Sequence, residues 1–254
     1  MREVLVIGMG AGDPAFMTVE AIEALRAADV LFVLEKAAEQ HDLIALREEL
    51  VARFAGEQPP RTVVADDPPR ARGADPAAQR AAVAAWREAR SALVAGLLRH
   101  ELADDEVGAF LVWGAPTLYD SVLAVLDGAE AHPDGVPFSR RVVAGISAPS
   151  ALAARHGTSL TRVGRPLVVT TGRRLADEGW PAGADDVVVM LDADCAFREL
   201  PGDVHIHWGA YLGTPDELLV AGRLEAVAEE IVAVRAEARA RKGWMFDTYL
   251  LRRP

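Results

Sequence analysis

Residues 4–14, VLVIGMGAGDP, join an apolar β-branched run to three alternating glycines, an acid and a proline. The apolar run is typical of a strand that is buried on both faces, as in a parallel sheet. A dinucleotide-binding turn would have the spacing G-x-G-x-x-G, whereas Gly8, Gly10 and Gly12 are spaced two residues apart. Asp13 then stands where a helix N-terminus would face a pyrophosphate, and a carboxylate repels that group. The turn therefore indicates a backbone that closely approaches a ligand or that turns sharply under a neighbouring domain, and not a phosphate site.

Strand and helix signals alternate from this turn to about residue 145. Apolar strand patterns occupy residues 2–7, 30–35, 61–65, 108–113 and 136–144, and helical patterns lie between them, with Thr18 as an N-cap of the first. This alternation predicts an α/β fold with a parallel, doubly wound sheet. After Gly145 the strands are separated by shorter loops, which predicts a smaller mixed-sheet domain. We expect an N-terminal α/β domain at 1–145 and a C-terminal α/β domain at 146–254.

Composition and charge exclude several classes of protein. The 254 residues carry a net charge of -11, which disfavours a general nucleic-acid binder. No apolar stretch reaches the ~18 residues of a transmembrane helix, and no signal peptide is predicted. The single cysteine, Cys195, fits a reducing cytoplasm and is expected to be a small apolar core residue. We expect a cytoplasmic protein with no nucleic-acid or membrane partner.

Three further turns carry glycine motifs at or near strand ends. They are VWGAPTLYDS at 112–121, VAGISAPSALAARHG at 143–157 and HWGAYLGTPDELLVAGRL at 207–224. Because open α/β sheets bind ligands beyond the carboxyl ends of their strands, turns of this kind are expected to form a crevice.

Taken in order along the whole chain, G-x-G-x-G-D-P, W-G-A-P-x-x-Y, A-G-I-S-A and Y-L-G-T-P-D-E resemble the motifs of the tetrapyrrole (corrin/porphyrin) methylases. The resemblance implies two α/β domains with the active site between them, S-adenosyl-L-methionine as methyl donor, a tetrapyrrole polycarboxylate substrate and a homodimer. The motifs are most similar to those of the branch in aerobic cobalamin biosynthesis that methylates precorrin-5 at C-1 and releases acetate.

Within this family the cofactor is held largely by main-chain groups, which would account for the glycines. The resemblance implies cofactor contacts from five turns, at Gly10, Ala11, Trp113, Gly114, Ala115, Leu118, Ser147, Ala148, Met190, Tyr211 and Leu212. Many relatives have Gly-Gly-Asp-Pro where this chain has Trp113-Gly-Ala-Pro. Any cofactor contact made by that carboxylate is therefore either lost at Ala115 or supplied by another residue.

Catalytic and substrate groups are predicted from their position near these turns. The reduced tetrapyrrole supplies its own nucleophilic carbon, so the protein is expected to position the reactants and to transfer a proton. Tyr119, Asp120 and Asp13 are the candidates for proton transfer. Arg173 and Arg174, at a predicted strand-to-loop boundary, are the candidates for binding substrate carboxylates. Arg70, Arg72, Arg252 and Arg253 are the alternatives.

Two readings remain open at this point. Another precorrin or uroporphyrinogen methylase, or a diphthine synthase, would share the motifs, and an NAD-dependent dehydrogenase is the alternative from a different class.

His205 and His207 alternate along a strand and so lie on the same face of it, a geometry that suits a metal. No third ligand lies near them in sequence, so no metal is expected.

Overall fold

The computed structural model of this chain describes residues 1–35, 41–71 and 73–253, without the side chains of residues 41–43 and 76. Arg72, one of the alternative arginines, lies outside the described residues. Contacts within the chain define two units. The first unit comprises Met1–Gly10 and Pro14–Ile146, and the second comprises Ala11–Asp13 and Ser147–Pro254.

The first unit contains a five-stranded parallel sheet. Its strands are β1 (Arg2–Gly8), β2 (Val30–Glu35), β3 (Arg61–Asp66), β4 (Val107–Val112) and β5 (Phe138–Val143). They lie in the order β3-β2-β4-β1-β5, and every pairing is parallel. All four residues from Val4 to Ile7 have an exposure of 0%, because both faces of the central strands are covered. This confirms the predicted parallel sheet.

Helices cover both faces of this sheet. They are α1 (Val19–Arg26), α2 (His41–Phe54), α3 (Pro76–Glu101) and α4 (Val122–Ala131). Leu5 and Ile7 pack with residues of α1 and α2 in one apolar cluster. Val4 and Val6, on the opposite face, pack with residues of α3 and α4 in another. The doubly wound arrangement predicted from the alternating pattern is therefore correct. The predicted N-cap is also present, since the Thr18 hydroxyl accepts the N–H of Ala21 at 3.1 Å.

The second unit contains a mixed five-stranded sheet. Its elements are α5 (Ala148–Arg155), β6 (Leu167–Thr171), α6 (Gly172–Glu178), β7 (Asp186–Met190), β8 (His205–Ala210), β9 (Leu218–Arg223), α7 (Leu224–Lys242) and β10 (Asp247–Arg252). The order is β6-β7-β10-β8-β9, with only the β6–β7 pairing parallel among these strands. The predicted mixed sheet is confirmed. One face buries Trp208 and Tyr249 with Ile231 of α7, and α5 packs against β8 and β10.

The segment after β6 differs from the sequence prediction. A loop was expected at Arg173 and Arg174, but the chain forms the short helix α6 there. The Thr171 hydroxyl accepts the N–H of Arg174 at 3.4 Å and so caps the helix. The sequence pattern places Gly172 at the end of a strand, whereas in the structure this glycine begins the helix and is buried against Asp192.

Across residues 1–35, 41–71 and 73–253, no helix is both long and apolar enough to span a membrane.

Candidate active site

The glycine turn after β1 is in direct backbone contact with the turns after β4 and β5. The N–H of Gly114 donates to the carbonyl oxygen of Gly10 at 2.8 Å, and the N–H of Gly10 donates to that of Gly114 at 3.2 Å. A Cβ on Gly8 would lie 2.5 Å from the nitrogen of Gly145, and a Cβ on Gly145 would overlap the carbonyl oxygen of Gly114. Three glycine motifs that are far apart in sequence therefore meet in the first unit, where side chains would keep them apart.

The backbone conformation at Gly10 is a further reason why this position requires glycine. Its φ is +81°, and a Cβ there would lie 2.5 Å from the Cβ of Phe16. Gly12, with φ 140°, also lies in the region that favours glycine. Because both backbone polar groups of Gly10 bond Gly114, this glycine shapes the turn. Ala11, the next residue, is buried with 2% exposure.

The turn after β4 presents its polar side chains at the surface of the first unit. Gly114 has φ +69°, and open space lies where its Cβ would be. Trp113, Ala115 and Leu118 are half-buried, whereas the Tyr119 side chain is 47% exposed. The Asp120 carboxylate accepts the N–H of Val122 at 2.6 Å, so it helps to start α4.

Helix α5 begins directly after the Gly-Ile-Ser turn. The Ser147 hydroxyl accepts the N–H of Ser150 at 3.3 Å, which makes Ser147 the N-cap, and Ala148 is the first helical residue. Both residues are half-buried. Ser147 is therefore fixed in orientation by the helix that it starts.

The two predicted cofactor turns of the second unit are held from the protein interior. Met190, half-buried, ends β7. The Tyr211 side chain is 1% exposed and its hydroxyl donates to the carbonyl oxygen of Trp244 at 2.6 Å. The backbone N–H of Tyr211 donates to Phe246, and its carbonyl oxygen accepts from Thr214. Tyr211 thus anchors the turn that contains Leu212, which is itself buried with 4% exposure.

Strained backbone occurs at three of these turns. In the described part of the chain, the non-glycine residues with positive φ are Asp105, Tyr119, Leu191, Cys195 and Tyr211. Tyr119 follows Leu118, Leu191 follows Met190, and Tyr211 is itself a predicted cofactor residue. Each such residue costs roughly 1–3 kcal/mol and persists only where the surroundings enforce it, which is common at functional sites.

A buried polar network enforces the turn after β7. The Tyr249 hydroxyl donates to the Asp192 carboxylate at 2.6 Å, and the N–H of Ala196 donates to the same oxygen at 2.8 Å. Arg235 donates to the Asp192 carbonyl at 2.5 Å and to the Asp247 carboxylate at 2.9 Å. Breaking a buried charge pair of this kind costs about 3–5 kcal/mol. The network therefore holds the strained residues that flank Asp192 in place.

Asp13 is bound to an arginine within the second unit. The Arg155 guanidinium, on the last residue of α5, donates to the Asp13 carboxylate at 3.2 Å and to Glu217 at 3.0 Å. The hydrogen bond to Glu217 raises the pKa of Arg155. Glu217 also accepts the N–H of Gly213 at 2.6 Å. Sequence reasoning missed Arg155, although the acids in G-D-P and in T-P-D-E signalled the need for a cation.

The predicted substrate arginines are exposed. Arg173 and Arg174 both lie at the surface of α6, and Arg174 pairs with Glu178 at 2.8 Å. Of the alternatives, Arg252 pairs with the fully buried Asp186 at 3.1 Å. The Arg253 guanidinium lies over the ring of Trp180 at 4.5 Å.

The first unit contains a further arginine that sequence reasoning missed. Arg47 of α2 lines a cavity of about 350 Å³ with Glu35, Val33 and Val64. Burial lowers the pKa of Arg47, and the negative charges of Asp120 and Glu35 oppose that effect. Asp120, a candidate for proton transfer, therefore faces a positive charge.

The histidines of β8 form a cluster with a third ring. The His205 and His207 centroids are 4.7 Å apart, and His156 packs edge-on to His207 at 5.2 Å. Burial, followed by the charges of His205, His156 and Arg252, lowers the pKa of His207 to about 4. Within the described residues, no three His, Cys, Asp or Glu side chains are arranged to hold a metal ion. Cys195, also in this unit, is buried, and burial raises the pKa of its thiol.

Comparison with known proteins places these features in a family. The profile of the tetrapyrrole (corrin/porphyrin) methylases matches residues 3–228. A curated precorrin-6A synthase (deacetylating) from Sinorhizobium sp. is 41% identical over 254 residues, covering 100% of this chain and 96% of the relative. The crystal structure of a cobalamin-synthesis-related protein, CobF, from Corynebacterium diphtheriae is 33% identical, with a TM-score of 0.83 over 99% of this chain and 98% of the other.

A more distant structure shares the fold alone. It is uroporphyrin-III C-methyltransferase from Thermus thermophilus complexed with S-adenosylhomocysteine, at 21% identity and a TM-score of 0.58, covering 98% of this chain and 91% of the other.

Proposed function

The chain belongs to the tetrapyrrole (corrin/porphyrin) methylases, and from that premise we propose that it is a precorrin-6A synthase of the deacetylating type. In this proposal the enzyme methylates precorrin-5 at C-1, using S-adenosylmethionine, and releases the C-20 acetyl group as acetate. The observation that carries the proposal is the 41% identity, over the full chain, to a curated enzyme of that name.

The cofactor is proposed to be S-adenosylmethionine, which supplies an electrophilic methyl group on sulfur. The residues proposed to hold it are Gly10, Ala11, Trp113, Gly114, Ala115, Leu118, Ser147, Ala148, Met190, Tyr211 and Leu212. The turns fit a cofactor that is bound through main-chain groups: open space beside left-handed Gly114 admits close approach of a ligand to the backbone. Tyr211 contributes by fixing its turn, since its hydroxyl and its backbone groups are already bonded.

The substrate is proposed to be bound by local positive charge. Precorrins are polycarboxylates, and a protein with a net charge of -11 repels them at long range. Arg173 and Arg174 are exposed and adjacent, so they offer a site for carboxylates. The bond from Arg174 to Glu178 is an exposed pair, worth little by itself, and a substrate carboxylate competes with it at small cost.

Proton transfer is assigned to the turn after β4. The reacting carbon must lie about 3 Å from the methyl group, so positioning contributes most of the catalysis. Tyr119 is the foremost candidate because its phenol is exposed on a strained backbone that fixes its direction. Asp120, whose negative charge acts on Arg47, is the second candidate for proton transfer.

A reconstituted reaction tests the proposed function. The purified protein is incubated with S-adenosylmethionine and precorrin-5, and S-adenosylhomocysteine, acetate and the methylated product are quantified. We expect the three to form in equal amounts. Methyl transfer without acetate would instead indicate another methylase of the family, and no turnover of precorrin-5 would refute the proposal.

A binding experiment tests the cofactor separately. Calorimetry is expected to detect S-adenosylhomocysteine and to detect no NAD, because the glycine spacing does not suit a pyrophosphate. Tight binding of NAD with no response to S-adenosylhomocysteine would favour the dehydrogenase alternative. A homodimer is also proposed, on the resemblance to the family, and light scattering measures it directly.

A further inference from the structure

Two of the predicted turns are joined by one arginine in the second unit. The Nη2 of Arg155 donates to Asp13, which ends the glycine turn, and its Nε donates to Glu217. The same Glu217 oxygen accepts the N–H of Gly213, in the turn that also carries Tyr211. The chain of contacts therefore runs from the glycine turn, through the end of α5, to the turn before β9.

This network differs from an ordinary surface ion pair. Its side chains are 36% (Arg155), 32% (Asp13) and 22% (Glu217) exposed, so each is partly removed from water. Glu217 combines a charged partner with a backbone N–H, and charge-assisted hydrogen bonds are stronger than neutral ones. An isolated surface pair would add little, whereas here one guanidinium orders two loops that are far apart in sequence.

The turn that Glu217 holds needs an external constraint. Tyr211 has φ +50° and Gly213 has φ +77°. A non-glycine residue in this region is strained, and the strain is maintained only by its surroundings. The hydrogen bond from Gly213 to Glu217 is one such constraint, and Arg155 in turn orients Glu217.

We propose that Arg155 is a positioning residue for the cofactor site, and that Asp13 is an anchor for the glycine turn instead of a proton-transfer group. The inference rests on the proposed function, because it takes these turns to bind S-adenosylmethionine. The Asp13 carboxylate accepts a hydrogen bond from Arg155 at 3.2 Å, and this bond ties the end of the glycine turn to α5. Loss of the network leaves the chemistry intact and reduces the fraction of molecules whose turns are ready to bind.

The test separates affinity from turnover. Asp13→Asn and Arg155→Gln are each expected to weaken S-adenosylhomocysteine binding on the order of tenfold, since each removes charge-assisted hydrogen bonds. At saturating S-adenosylmethionine the kcat of both variants should stay close to that of the wild-type protein. The double variant should bind S-adenosylhomocysteine no more weakly than whichever single variant has the lower affinity, because both substitutions break the same ion pair. Arg155→Lys, which keeps the charge, should recover part of the affinity.

Arg198→Gln is the matched control. Arg198 pairs with Glu229 at 3.3 Å in the same unit, both side chains are exposed, and this pair includes no residue of the glycine turn or of the turn before β9. Its cofactor affinity should equal that of the wild-type protein.

Each other outcome has a defined meaning. A wild-type protein that does not bind S-adenosylhomocysteine refutes the proposed function itself. If the wild-type protein binds and Asp13→Asn lowers kcat with unchanged affinity, Asp13 is a proton-transfer group and the inference is wrong. If Arg155→Gln does not fold, the isosteric Glu217→Gln takes its place, and unchanged affinity in that variant overturns the inference.

Discussion

Replacement of Gly145 by alanine tests whether the convergence of the three glycine turns is required for function. The Cβ of alanine would overlap the carbonyl oxygen of Gly114 and would lie 2.8 Å from the Cα of Gly8. Both obstacles are backbone atoms, so no side-chain rotation relieves the overlap. The turns after β1, β4 and β5 have to separate to admit one methyl group.

The expected cost follows from overpacking. Inserting a methyl group into a closely packed site costs about 1–3 kcal/mol. Alanine also restricts the unfolded chain relative to glycine, which returns roughly 0.4–1 kcal/mol. We therefore expect Gly145→Ala to lower the free energy of unfolding by up to about 2.6 kcal/mol. Cofactor affinity should fall by at least about tenfold, because a turn displaced by 1 Å no longer presents its backbone groups correctly.

Gly96→Ala is the control for the same chemical change. Gly96 lies within α3, and no described atom beyond its chain neighbours and its own helix backbone lies within 4 Å of the position of its Cβ. Alanine there should stabilise the protein by roughly 0.4–1 kcal/mol, with no effect on cofactor binding. The same substitution is thus expected to lower the stability of the protein at Gly145 and to raise it at Gly96.

Urea unfolding and calorimetric titration with S-adenosylhomocysteine measure both quantities. The reasoning is refuted if Gly145→Ala is as stable as the wild-type protein and binds the cofactor product with the same affinity. A variant that loses stability but keeps full affinity would show that the close packing supports the first unit alone.

Three further predictions concern catalysis, substrate binding and pH. Tyr119→Phe should lower kcat with precorrin-5 by ~10²-fold or more with no change in S-adenosylhomocysteine affinity; an unchanged kcat would exclude a role for this phenol. Replacing Arg173 and Arg174 by glutamine should raise the KM for precorrin-5 and should make this KM less dependent on salt concentration. If the double variant has the wild-type KM at both low and high salt, the two arginines do not bind substrate. His207, with a pKa of about 4 in the folded protein and 6.5 as its ordinary value, stays neutral while the unfolded chain takes up a proton. Stability should therefore fall as pH drops from about 6.5 to about 4. The pKa difference corresponds to a loss of about 3 kcal/mol at most, and the partial exposure of His207 to water makes the loss smaller. Urea unfolding midpoints should depend less on pH in His207→Gln than in the wild-type protein.

The sequence by itself determined the fold class and the family. Alternation of buried strands and helices is a local property of the chain, so the parallel sheet and the mixed sheet were predictable without knowledge of any long-range contact. The glycine motifs were likewise visible in order, and the meeting of Gly8, Gly114 and Gly145 follows from the rule that parallel strands end at one edge. The short helix α6 was not predicted, because a threonine cap after a strand resembles the start of a loop.

Only the tertiary structure decided which charges meet. Asp13 lies 142 residues before its partner Arg155, and Glu217 lies 62 residues after it. His156 likewise reaches the histidines of β8 from a different element. Side-chain pairs of this kind contribute too little energy to determine the fold, so they leave no periodic pattern in the sequence. They form where the order of the strands, which is set by burial of the apolar residues, brings two polar side chains close together.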